Sequence, residues 1–114
     1  MLTAMARDLR GWFSQSGGAS LERPNCWFGR PFDNLHQLTR VVTHGHTLQI
    51  VLDGTQVLTV NRPAVHRSVP EFFQIARFDS AAFRWVDEHH QSHTESYSRG
   101  HIVFHHVPGR APRV

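Results

Sequence analysis

Residues 44–60 read His44-Gly45-His46-Thr47-Leu48-Gln49-Ile50-Val51-Leu52-Asp53-Gly54-Thr55-Gln56-Val57-Leu58-Thr59-Val60, and the fold class turns on them. Leu48, Ile50 and Leu52 alternate with Thr47, Gln49 and Val51, the period of two that sends successive side chains to opposite faces of a strand. Asp53-Gly54 interrupts the pattern and Thr55 to Val60 resumes it. Both central positions of a type I′ turn need positive φ, which Gly adopts without penalty and Asp tolerates. The stretch therefore predicts a β-hairpin. Upstream, His36 to Thr43 reads as a preceding strand, with His44-Gly45 as its turn.

Working outward, Pro63 and Pro70 bracket what reads as an irregular connection containing His66 and Arg67. Phe72 to Phe78 follows as a strand, with Phe73 and Ile75 on one face. Asp79-Ser80 turns the chain. Ala82 to Asp87 fits two periods: a helix capped by Ser80 would bring Phe83 and Val86 together, a strand Phe83 and Trp85. The run Phe-Arg-Trp-Val favours a pleated surface, so a strand is expected. Glu88 to Gly100 is polar and reads as a loop, and Ile102 to Val107 as the last strand. At the other end, Leu2, Met5, Leu9, Trp12 and Phe13 fall at helical spacing, with Gly17-Gly18 as the stop. Such a helix would close a barrel end or cover a sheet edge, or else dock a partner. Together these readings predict a mainly β chain. They describe an antiparallel meander of about six strands, curled into a small barrel or bent sheet, with one short N-terminal helix. Residues 1–24 form the helix and a linker, 25–108 the β domain and 109–114 a flexible tail.

A length of 114 residues suits one domain with one core. Eight Phe, three Trp and one Tyr are too many large rings for a disordered chain. All twelve basic residues are Arg, scattered from Arg7 to Arg113 among nine acids, and the formal charge is only +3. No cluster has the density of a nucleic-acid stripe, which argues against that partner. Ten His would add positive charge below about pH 6.5, their unperturbed pKa. The single Cys26 cannot form an internal disulfide. Arg7, Asp8 and Arg10 break the apolar core a signal peptide needs, and no segment reaches membrane-span length. The expectation is a cytoplasmic protein without membrane attachment.

The candidate site is Cys26-Trp27-Phe28-Gly29-Arg30-Pro31-Phe32-Asp33-Asn34-Leu35-His36. Gly29 permits a turn, Pro31 biases Arg30 toward extended backbone, and Asp33-Asn34 suits an Asx turn. As architecture alone, Trp27 and Phe32 would plug the core and Arg30 would pair with a carboxylate. As a site, Arg30 would offer a planar fork to an anion, Trp27 a stacking wall, and Asp33, Asn34 and His36 orientation. Arg84, Trp85 and His105 are candidate contributors from the sheet. The string Trp27 to Asn34, with Phe73-Gln74-Ile75-Ala76-Arg77 and Phe83-Arg84-Trp85 after the hairpin, resembles a family of short hypothetical bacterial proteins. That family carries a Trp-Phe-Gly-Arg-Pro-Tyr-Asp-Asn signature, with Phe32 here in the Tyr position. The resemblance covers Trp27 to Val107 and implies a domain boundary near Cys26, but no activity.

His44-Gly45-His46 has the His-x-His spacing of cupin metal sites, yet a turn at Gly45 accounts for it better. His89 and His93 at i,i+4 spacing, joined by His101, His105 or His106, could ligate zinc if the segment were helical. No Cys or Glu completes a specific pattern, so neither metal nor cofactor is expected. Cys26 beside Trp27 is read as a small buried hydrophobe rather than a nucleophile. Asp33 and His36 could exchange protons across three-residue spacing, and Tyr97 sits in the polar stretch near Glu95 and Arg99 as a lid residue or an exposed one. The leading reading is a β-rich binding module for a small anionic or aromatic molecule or a protein partner. The competing readings are a cofactor-free isomerase, cyclase or hydrolase using Asp33 and His36, and a His-rich metal binder. Sheet edges that must be covered or paired also raise homodimerisation.

Overall fold

A computed structural model describes residues 2–24 and 35–107. The leading helix, α1 (Leu2–Ser16), buries Met5, Ala6, Leu9, Trp12, Phe13 and Ser16, the stripe that helical periodicity lays along one side. It stops where Gly17 N–H donates back to Phe13 O at 2.9 Å, a closure of the αL type.

Nine strands follow among the described residues, all paired antiparallel in two sheets. They are β1 (Ser20–Glu22), β2 (Leu38–His44), β3 (Thr47–Leu52), β4 (Gln56–Asn61), β5 (Ala64–Val69), β6 (Phe72–Arg77), β7 (Ser80–Val86), β8 (Ser92–Tyr97) and β9 (Ile102–His105). One sheet runs β1-β9-β6-β5 and the other β2-β3-β4-β7-β8. The hairpin of residues 47–61 is β3–β4: Asp53 and Gly54 carry φ of 53° and 77°, and Thr55 N–H donates to Leu52 O. Inward residues of both sheets, among them Leu48, Ile50, Leu58, Phe73, Ile75, Phe83 and Phe104, join the helix stripe in one buried cluster. Residues 2–24 thus share their core with the strands.

The helix lies against β2 and β5, the edge strands at one side of the two sheets. Arg10 Nη2 donates to Val41 O on β2 at 2.9 Å, and Trp12 Nε1 to Val69 O on β5 at 2.7 Å. Asp8 accepts from His66 Nε2 on β5 at 2.9 Å. The first two contacts satisfy backbone carbonyls of edge strands, and the third pairs two side chains across the same seam. At the opposite edges, Arg23, just after β1, reaches Glu95 on β8 at 2.9 Å. The two sheets do not close into a barrel.

The architecture is mainly β with one leading helix, as the periodicity predicts, but the strands are more numerous. The 63–70 connection is the edge strand β5, because both prolines fall outside it and cost no ladder bond. The expected linker contains β1, which pairs with β9 through Leu21 and Phe104. The expected loop 88–100 contains β8, a polar strand on a sheet edge. No helix among the described residues is long and apolar enough to cross a membrane.

Candidate functional site

Residues 26–34 of the central motif, with Trp27, Arg30, Asp33 and Asn34, lie outside the described residues. His36 is described and buried. It forms a bridge with Ala19, and its Nδ1 meets Asp53 Oδ2 at 2.7 Å. Asp53 Oδ1 accepts Gln37 N–H at 2.8 Å, so this carboxylate ties the lead-in to β2 onto the β3–β4 turn. The other sheet candidates separate. Arg84 and Trp85 are neighbours on β7 and leave opposite faces, Arg84 to solvent. His105 belongs to the other sheet, where Glu22 Oε1 meets its Nε2 at 2.8 Å and Glu22 Oε2 meets His101 Nε2 at 3.2 Å. Glu22 and Arg23 are consecutive, and one side chain turns to this His pair while the other turns to Trp85.

The structure assembles its richest constellation at the β7–β8 end. Register places Ala81 opposite Tyr97, Phe83 opposite Glu95 and Trp85 opposite His93, so all six share a face. Phe83 and Trp85 are stacked with centroids 5.6 Å apart and planes 22° apart; Trp85 and His93 follow at 5.3 Å and 20°. The three rings form a shelf that runs from buried Phe83 through half-buried Trp85 to exposed His93. The Arg23 guanidinium lies over its inner half, 5.3 Å from the Phe83 centroid and 5.6 Å from that of Trp85, within cation–π range. Glu95 Oε1 holds Arg23 there and also accepts the Tyr97 hydroxyl at 2.5 Å. Burial first, and then the bond to Glu95, push the Tyr97 phenol well above its ordinary pKa. Tyr97 is therefore a buried neutral donor, neither a lid residue nor an exposed one.

Asp87 fixes the outer end. One oxygen accepts His89 N–H at 2.8 Å and Gln91 N–H at 2.9 Å, and the other meets His93 Nε2 at 2.7 Å. The hydrogen bond from His93, followed by that from Gln91, lowers the Asp87 pKa. Residues 88–91 are a turn rather than a helix, so His89 and His93 lack the spacing a zinc pair would need. His101 is engaged by Glu22 instead. Among the described residues, no three His, Cys, Asp or Glu are placed to hold a metal ion.

Sequence reasoning picked out Trp85 but missed Arg23, Glu95 and Asp87. The signal was the alternation His93-x-Glu95-x-Tyr97, which pairs with Ala81-x-Phe83-x-Trp85 once the turn at Asp87 is set. No family model, no curated protein and no solved structure matches this chain.

Proposed function

We propose that the protein is a small binding module whose ligand is a flat aromatic or heteroaromatic molecule held against Trp85 and His93. The observation that carries this reading is the ring shelf, roofed by Arg23 at its buried end and exposed at His93. Stacked rings favour an added ring in offset geometry, by ~0.5–1.5 kcal/mol beyond area burial. Arg23, held by Glu95, supplies donors at the edge of such a ring, and an anionic substituent would meet its charge. A protein-docking surface is less well supported. Among the described residues the large exposed apolar side chains, Val42, Val65 and Val86, are three valines on three separate strands, β2, β5 and β7.

Titration of the full chain with quinoline-2-carboxylate and indole-3-acetate as probes, followed by tryptophan fluorescence and calorimetry, tests the reading. Saturable binding that Trp85→Leu and His93→Ala each weaken at least tenfold is the expected result. Binding that neither variant changes, or no saturable signal from any planar probe, would discard it.

A further inference from the structure

A second site stands on residues the ring shelf does not use. Arg62 follows β4, Arg77 ends β6, and Arg99 lies between β8 and β9, yet the three line one groove of about 460 Å³ with Phe78, Asp79 and Gly100. Among the described residues Asp79 is the only acid lining it, and it meets Arg62 Nε at 3.6 Å with both side chains exposed. Among the described residues Arg77 and Arg99 have no ion-pair partner. The groove therefore carries two uncompensated guanidinium charges beside one compensated pair. Arg62 is held at φ 52°, a region costly for residues other than Gly, where the surrounding structure must hold the backbone.

We infer that this groove binds a phosphate-type dianion carried by a small molecule. Two uncompensated like charges brought to one concave surface repel one another, and an ion with two negative charges offsets both. Guanidinium forks match the paired oxygens of phosphate better than an ammonium would. The groove volume falls in the ~300–1,000 Å³ range of small-molecule sites. A nucleic acid would instead be tracked by basic residues along an extended stripe, and here the arginines converge on a bounded groove.

The test is calorimetric titration of the full chain with inorganic pyrophosphate at constant ionic strength. Saturable binding that falls at least tenfold in Arg77→Gln and in Arg99→Gln is expected. Arg62→Gln should lose less, because Asp79 already engages Arg62. Asp79→Asn should bind several-fold more tightly, a gain that loss of folding cannot imitate. Wild-type binding no different from that of chloride at matched ionic strength overturns the proposal, as does affinity unchanged in both glutamine variants. So does a single-stranded oligonucleotide that binds more tightly than pyrophosphate and depends equally on Arg40, outside the groove, since that would mark an extended nucleic-acid surface.

Discussion

Asp53 sits at φ 53° in the β3–β4 turn while its carboxylate accepts from Gln37 N–H and meets His36 Nδ1. Turn and crosslink are separable by substitution. Asp53→Gly keeps the left-handed conformation and loses the bonds, whereas Asp53→Ala loses both. Leaving the partly buried His36 donor unpaired should cost ~1–3 kcal/mol, exposed Gln37 N–H can turn to water, and the alanine variant should lose more than the glycine. Urea unfolding measures the two, and a glycine variant as stable as wild type would show that the carboxylate contributes nothing. Tyr97 offers a cleaner readout, being the only tyrosine. Its phenol is held above the ordinary value by burial and by Glu95. The folded protein should thus show no phenolate absorbance near pH 11, roughly a unit past an exposed tyrosine, and full absorbance once unfolded. The proton retained in the fold also means that stability declines with alkalinity above the unfolded value. A transition near pH 10 in the folded protein would contradict this.

At the scale of elements, the helix is fastened at its C-terminal end as well as along its stripe. Gly17 O accepts Gln37 Nε2 at 3.0 Å, and Ser16 Oγ donates to Gly18 O at 2.6 Å. Ser16 has one proton, so at 3.0 Å His106 Nδ1 must donate to it. Gly18 has φ 137°, and a Cβ there would stand 2.8 Å from Gln37 Nε2 and 3.2 Å from His36 O. Gly18→Ala should therefore destabilise by more than ~1 kcal/mol. If its melting temperature equals wild type, the helix end is not packed as described. The helix and the β3–β4 hairpin were legible because each rests on a local signal, a 3.6-residue stripe and an Asp-Gly turn. Strands β1, β5 and β8 were not, for each is an edge strand with a weak apolar face. The partner strand supplies their pattern: Leu21 is legible as a strand residue only beside Phe104, and His93 only beside Trp85. Edge strands need fewer inward apolar residues, which is the feature sequence periodicity reads.

Across the whole molecule, carboxylates meet histidines at joints between elements. Asp8 links α1 to β5 through His66, Glu22 sits between His101 and His105, Asp53 joins the β3–β4 turn to His36, and Asp87 closes the β7–β8 turn onto His93. Apart from Asp87–His93, which closes a single turn, the pattern, like the approach of Arg23 to Trp85, joins residues far apart in the chain, so the pairing of elements reveals it. The abundance of His raised metal binding as a competing reading, whereas His36, His66, His93, His101 and His105 meet carboxylates. Asp8 and Asp87 are held below the ordinary carboxyl value. The His66 hydrogen bond first, and the nearby Arg7 charge after it, lower the Asp8 pKa from 3.8, and His93 lowers that of Asp87 from the same value. A carboxyl whose pKa is lower folded than unfolded binds fewer protons in the fold, so stability rises with pH through that window. The contribution is complete above the unfolded value and disappears as pH falls through the folded one. The gap in urea midpoint between wild type and Asp8→Asn/Asp87→Asn should accordingly be widest at pH 5 and narrow steadily toward pH 2, because acid removes from the wild type what substitution has already removed from the variant. A gap that stays constant over that range would mean that the two carboxylates act through packing or neutral hydrogen bonds, and that charge at these joints does not hold the helix and the outer hairpin in place.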